Sequence, residues 1–296
     1  MRVQVTSFAA MALIPLGLCL LAAALGGVWV WLAVLYLGLV VAGLDLVLPA
    51  FEADAAEVAE FPGSDGLLAV IAVVVPVLMA LVVLAAGRLS LAEGAALILA
   101  AGFWLGQVAH PAAHELIHRA DRRLFRLGVT VYGVLAMGHH ASSHRLVHHV
   151  HVATPDDPAT ARSGQGFWRF LLRAEGEGFR KGLAAETALR ERRAKGLHPF
   201  VTYAGMTLSA AGVALALGGW PGVAVWALLC LHTKLQIHLS DYVQHYGLLR
   251  RRLPDGRLEP VGPRHSWNGG QWLSGHMMLN APRHSDHHAH PLRPYP

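Results

Sequence analysis

Apolar residues run through the first third of this chain in blocks too long and too free of charge for a water-soluble core. Residues 7–25 carry no charge and match the ~20 residues that cross a bilayer's hydrocarbon. Gly26-Gly27 interrupts the run, as a tight reversal between antiparallel helices does, and a second block covers about residues 28–48 with only Asp45 near its end. A signal peptide would be shorter and would lead into a polar cleavage region, whereas here another apolar block comes at once. An acidic connection at 51–65, a third block at 66–86, a turn at Arg88 and a fourth block at about 90–112 complete this pattern.

The fourth block runs directly into HPAAHELIHRADRRLFR, and the composition changes there. Residues 162–198 are polar with helically spaced Phe167, Phe170, Leu171 and Ala174, which predicts an amphipathic segment at the membrane surface. Two further apolar blocks, about 200–218 and 221–240, are joined by Gly218-Gly219-Trp220-Pro221-Gly222. The expected architecture is an all-α integral membrane protein. A single domain over 1–296 has six transmembrane helices, with a His-rich cap built from about 113–198 and 241–296. Of the 24 Lys and Arg residues, only Arg2 and Arg88 precede Arg119, leaving 22 at or after it. Positive residues mark the cytoplasmic side of a membrane protein, so the cap and the N-terminus are expected there, in a plasma (cell inner) membrane, with Arg88 a minor conflict.

Composition agrees: 54% of the 296 residues are hydrophobic, 15% are charged and mean hydropathy is +0.42. The net charge of +5 is better used as a topology signal than for nucleic acid, since no aromatic-and-basic module or zinc-finger spacing occurs and no nucleic-acid partner is expected. Cys19 and Cys230 are the only cysteines, each inside an apolar block, so neither a disulfide framework nor a thiolate metal site is expected.

The chemistry lies in the 19 histidines. His114 and His118 in HELIH share a helix face at i and i+4 and can hold one metal. Alone, HExxH is also the zinc metalloprotease signature, with Glu115 as base. In SHRLVHHVHVATPDDPATAR, His144 and His148 are expected one turn apart on one face, with His149 beside them. His284, His287 and His288 stand at i, i+3 and i+4, and His245 lies just past the sixth block. A hydrolytic zinc site needs three protein ligands; nine imidazoles suit two metal ions. An all-imidazole dinuclear site beside a bilayer suits iron that activates dioxygen, with the substrate arriving from the lipid.

HELIHR, HRLVHHVHVATPDDPATAR, DYVQHYGL, PRHSWN and RHSDHHAHP resemble the membrane alkane 1-monooxygenases. These are non-haem diiron enzymes more distantly related to membrane fatty-acid desaturases and xylene monooxygenase. The resemblance covers the chain from about His110 onward, in order and spacing. It implies two iron ions held by His114, His118, His144, His148, His149, His245, His284, His287 and His288. It also implies dioxygen as co-substrate, electrons from rubredoxin or a similar iron–sulfur donor, and terminal hydroxylation of a lipophilic alkyl substrate. A fatty-acyl desaturase or aromatic-methyl hydroxylase is the neighbouring alternative, and a membrane zinc protease a distant one; a metal transporter has only Asp45, His232, Lys234 and His238 in its favour.

Departures from the family pattern accompany the match. Ser143 stands where an acidic residue usually precedes the second cluster, Val147 replaces the usual glycine before His148-His149, and Gln244 replaces a carboxylate beside His245. Asp156, Asp157 or Asp241 could orient ligand imidazoles. The chain stops at Pro296, where family members usually continue. His110, His139, His140, His151, His232, His238, His276 and His290 are not expected to be ligands. Phe103 and Trp104 are either ordinary helix packing or the inner end of a substrate tunnel. Arg122, Arg123, Arg126 and Arg250 to Arg252 either attract an acidic donor or serve as topology signals.

Overall fold

Five helices are long and apolar enough to cross a membrane. They are α1 (Val5–Leu25), α2 (Val28–Val47), α3 (Ser64–Ala86), α4 (Leu91–Ile117) and α8 (Pro199–His245). A computed structural model describes residues 5–50, 63–193 and 196–290, and among them the only β pairing is a single bridge between Arg252 and Leu258. Most of the acidic connection, Arg2 and the tail beyond His290 lie outside the described residues. The remaining helices are α5 (Arg122–Val134), α6 (residues 140–151), α7 (Phe167–Arg193), α9 (Trp272–Met277) and α10 (His284–Ala289).

The fifth apolar helix is two arms. At 1.5 Å per residue, 47 residues would extend about 70 Å, more than twice the hydrocarbon thickness. Gly219 breaks it with φ 62° and ψ −155°, a conformation that suits glycine. Contacts on either side establish the reversal. Thr207 Oγ1 donates to Gly133 O at 2.9 Å, and Trp226 Nε1 donates to Val134 O at 3.0 Å. Residues so far apart along one straight helix cannot reach adjacent carbonyls of α5, so the arms run back along each other.

Burial follows the apolar pattern. One core runs through Phe8, Leu16, Val30, Leu68, Ile71, Val75, Leu97 and Leu116 and joins α1 to α5. Side chains such as Ile14, Trp31, Leu39 and Leu208 stay exposed on the outer faces, where lipid is the natural solvent. Expected and observed positions differ for α7. Its apolar face docks on protein: Phe170 and Ala174 are buried with Ala161, against Tyr242 and Tyr246 at the end of α8. The periodicity of 162–198 is sufficient to predict a buried face, but not the surface that buries it.

Gly222 closes the hairpin of α8, since a Cβ there would stand 2.5 Å from the backbone oxygen of Ala214. Replacing Gly222 with Val is expected to lower stability by about 1–3 kcal/mol, the usual cost of overpacking. A thermal unfolding midpoint in detergent equal to wild type would contradict this packing.

Candidate metal centre

Four elements end at one place and deliver the histidines. Helix α4 carries His114, with His118 closing its last turn. Upstream, its Leu105–Ala109 stretch is a π turn, in which His110 N bonds back five residues to Leu105 O. Helix α6 has a second π turn at His144–His148, where His149 N bonds to His144 O. The extra residue of a π turn rotates the side chains beyond it about the helix axis. His144 therefore pairs with His149, Nε2 to Nε2 at 2.9 Å, and His148 turns to another set of partners. His144 and His148 remain neighbours as expected, their rings 5.1 Å apart, but the inserted residue places them in different groups. His245 is the last residue of α8, and α10 supplies His284, His287 and His288.

All nine of these side chains are brought together, in two groups whose nitrogens lie within 4.8 Å of one another. One contains His114, His118, His144, His149 and His287; the other contains His148, His245, His284 and His288. The groups adjoin, with the His149 and His288 rings 4.6 Å apart. Within them Nε2 atoms approach to 3.0 Å for His148 and His288, 2.9 Å for His245 and His284, 2.9 Å for His284 and His288, and 3.1 Å for His149 and His287. A metal–imidazole bond of about 2.1 Å puts neighbouring ligand nitrogens about 3.0 Å apart at right angles. Nε2 of His114 and of His118 is buried with no hydrogen-bond partner. Unpaired buried polar atoms are costly, and a cation inside the five-histidine group, to which both belong, would relieve them. The donor set, all imidazole without thiolate, suits a first-row transition metal.

The outward sides of the rings are held. Asp157, buried in the ATPDDPATAR turn, accepts from His148 Nδ1 at 2.8 Å and also from Thr160 Oγ1. His245 Nδ1 donates to the backbone oxygen of His265 at 3.3 Å, and the His265 ring is fixed by buried Glu259. Both bonds turn Nε2 inward, the arrangement in which an outer acceptor sets the tautomer of a metal-binding histidine. Asp156 is exposed and offers its ring nothing, whereas buried Asp241 faces the nearby cavities. Gln244, in place of a carboxylate, ties Nε2 to Ala281 O at 3.3 Å and so fastens the strand that leads to α10. Ser143 packs closely on α7, since a Cβ at Gly182 would lie 3.2 Å from Ser143 Cβ.

Burial sets the charges. It pushes His118 down to about 3 and His149 to about 2, with neighbouring imidazoles and Arg145 adding to the effect. His144, His284, His287 and His288 are also pushed well down, chiefly by burial. For His148, burial would lower the pKa, but the Asp157 carboxylate outweighs it and the result is raised; Asp157 is correspondingly lowered despite its own burial.

A cavity of about 700 Å³ reaches the centre from between α2, α4 and α8. His114, His144 and His284 line it together with apolar Leu37, Val41, Leu46 and Phe103 and polar Asp45, Gln107, Gln236 and Asn268. Phe103 thus lines the cavity, whereas Trp104 is fully buried and donates Nε1 to Ala12 O at 3.0 Å, a packing role. Glu115 turns to Arg119 at 3.5 Å rather than into the groups.

The other histidines stay outside both groups. His110 meets the Tyr132 hydroxyl at 3.0 Å, and His140 stacks on His144. His276 lies between the Phe8 and Trp272 rings, and His232 sits against Phe103. Sequence reasoning missed Glu175 on α7, which bonds His238, Lys234 and His139, and His265, whose contribution is a backbone oxygen.

The model of the fatty acid desaturase family matches residues 88–296, more than two thirds of the chain. Over 190 residues the chain is 34% identical to an alkane 1-monooxygenase of Ectopseudomonas oleovorans, covering 62% of this chain and 46% of that protein. It is 33% identical over 203 residues to an alkane 1-monooxygenase 2 of Pseudomonas aeruginosa, covering 67% and 54%. The hydroxylase component of a xylene/toluene monooxygenase from Pseudomonas putida is 27% identical over 285 residues, covering 89% and 72%. The chain spans about half the length of the alkane monooxygenases it matches.

The neutral histidines make the metal-free chain acid-sensitive. Six of them have folded pKa values below the unfolded value of about 6.5, namely His118, His144, His149, His284, His287 and His288. Their contribution is full above about pH 6.5 and is lost as pH falls toward about 3, because only the unfolded state takes up the protons. His148, raised, acts in the opposite sense. The unfolding midpoint of metal-free protein is expected to be lower at about pH 5 than at about pH 7.5; a higher midpoint in acid would refute this account.

Proposed function

This chain belongs to the fatty acid desaturase family, and from that premise we propose that it is a membrane diiron monooxygenase. In this reading it takes dioxygen and electrons from a rubredoxin-type iron–sulfur donor and hydroxylates the terminal carbon of an alkane or similar alkyl chain. The observation that carries it is the pair of imidazole groups, five and four, beside a mainly apolar cavity. His114, His118, His144, His149 and His287 would hold one iron, and His148, His245, His284 and His288 the other. When bound, the two irons supply the activation of dioxygen and the cleavage of the C–H bond.

The chain's own residues supply position and shelter. Leu37, Val41, Leu46 and Phe103 favour a hydrocarbon by the ordinary transfer of apolar surface from water. His114, His144, His148, His245, His284 and His288 are buried, and keeping water from such a site protects a reactive intermediate from side reactions. Relatives named alkane 1-monooxygenase support an alkane substrate. The long match to a xylene/toluene hydroxylase component favours the methyl group of an alkyl-aromatic as second choice. The 22 Lys and Arg from Arg119 onward support six crossings of the inner membrane with the centre on the cytoplasmic side. Exposed Arg251 and Arg252 on that side suit an acidic electron donor.

Two measurements test the reading. Metal analysis of the purified chain is expected to give two irons, with His148→Ala and His287→Ala each losing metal; one zinc per chain, dependent on His114 and His118 alone, would indicate the protease instead. Turnover with octane and with a fatty acyl substrate, supplied with rubredoxin, its reductase and NADH, is expected to yield dioxygen-dependent terminal alcohol. Neither alcohol nor alkene from a preparation holding two irons would sink the claim.

A further inference from the structure

The cavity of about 700 Å³ beside the histidine groups carries more polar side chains than a hydrocarbon requires. A polar group buried against a molecule that cannot bond it is costly, so each such wall residue needs a partner. Several find one in the protein. Asp45 accepts from the backbone nitrogens of Leu273 and Ser274, Asn268 exchanges two bonds with Ser285, and Gln244 donates to Ala281 O.

Two glutamines are different. Gln107 lines the cavity, and its amide oxygen is buried with no partner. Gln236 also lines it and donates from Nε2 to Gly102 O at 2.7 Å, while its amide oxygen accepts nothing among the described residues. A Cβ at Gly106 would stand 2.5 to 2.7 Å from the carbon, nitrogen and oxygen of the Gln236 amide, so that amide lies on the residue next to Gln107.

Helix spacing sets their depth. Phe103, Gln107, His110 and His114 follow one another at four, three and four residues along α4, and all line the cavity as one stripe. At 1.5 Å per residue, Gln107 stands about 10 Å along the axis from His114. Gln236 precedes His245 on α8 by about 13 Å on the same scale. The two amides therefore sit well away from the nitrogens that would hold metal.

Charge narrows the ligand. Among the described residues no Lys or Arg lines the cavity, whereas the carboxyl groups of Asp45 and Asp241 do. A carboxylate head group would find neither counter-ion there. A neutral hydroxyl suits both amides, because it donates and accepts, and a glutamine amide turned by half a circle presents its oxygen or its nitrogen.

We propose that Gln107 and Gln236 form a subsite for a neutral hydroxyl group, and that the substrate is a fatty alcohol bound with its hydroxyl at the amides and its methyl end at the histidine groups. The inference rests on the monooxygenase reading above and narrows its substrate class. The reaction balances as HO–R–CH3 + O2 + 2 e− + 2 H+ → HO–R–CH2OH + H2O. A C–H bond and the O–O bond break, a C–O bond and O–H bonds form, and the iron–sulfur donor loses the two electrons. The amides touch only the far end of the substrate and thereby set which carbon is presented.

The test offers 1-decanol, decane and decanoate in competition to the full chain carrying two irons, with rubredoxin, its reductase and NADH. 1-Decanol is expected to exceed decane in kcat/KM by about 10-fold, the worth of one hydrogen bond to a buried polar group, with decanoate last. Its product should be the α,ω-diol, because the held hydroxyl directs the methyl end inward; oxidation at the hydroxyl carbon would give the aldehyde. In Gln107→Leu and Gln236→Leu, the alcohol-to-alkane ratio should fall about 10-fold, and the diol-to-aldehyde ratio with it. A wild type that prefers decane or decanoate, or makes aldehyde, overturns the proposal. So do ratios unchanged in both variants, the result if the amides hold only water. The wild-type comparison decides even where neither variant folds. A readout independent of turnover is binding of tritiated 1-decanol to the metal-free full chain in lipid nanodiscs, corrected for empty nanodiscs. Unlabelled 1-decanol is expected to displace it at about 10-fold lower concentration than decane, with the difference reduced in both variants; equal displacement overturns the subsite. If wild type oxidises none of the three, the monooxygenase reading fails, while the binding experiment still decides whether the amides select a hydroxyl.

Discussion

Nine imidazoles facing one another set the terms for the surrounding structure. To hold metal, each would have to be neutral, have its outer nitrogen held so that the inner one carries the lone pair, and stay in place. Asp157 and the His265 carbonyl meet the second requirement directly for His148 and His245. The helices meet the third: α4, α6, α8 and α10 converge from separate parts of the chain, and close contacts such as that of Gly182 with Ser143 fix their approach. The apolar bundle is thus more than a membrane anchor. It is the rigid frame that keeps mutually repelling lone pairs within bonding range of a common centre.

Much of this was legible in residue type and spacing. Long apolar runs located the helices long enough to cross a membrane, and paired glycines at 26–27 and 218–219 marked the two tight reversals. The nine histidines stood out because imidazole is costly to bury in such numbers for any purpose but metal binding. Their division into five and four was not legible. It depends on one extra residue in the turn of α6, and an i, i+4 pattern looks the same with or without a π turn. Glu175 was hidden for a different reason. It is one acid among several on a helix with ordinary charge, and only the docking of α7 reveals that it reaches His238. His265 contributes through its backbone, which any residue could provide, so no side-chain signal existed.

The departures from the family pattern also acquire physical reasons. Ser143 packs against Gly182 of α7, and Ser142 beside it bonds Glu186 and Tyr203, at 2.7 and 2.8 Å. Gln244 exchanges a charge for an amide that holds the segment before α10 by its carbonyl.

The distribution of the histidines along the chain has a consequence for how the protein is made. His284, His287 and His288 leave the ribosome last of the nine, on α10, well after His114 and His118. At 5–20 residues per second, the interval is about 10 to 30 s. Through that interval neither group is complete, since each draws on α10. A metal that drew ligands from either group would therefore find its full set only after α10 has been made.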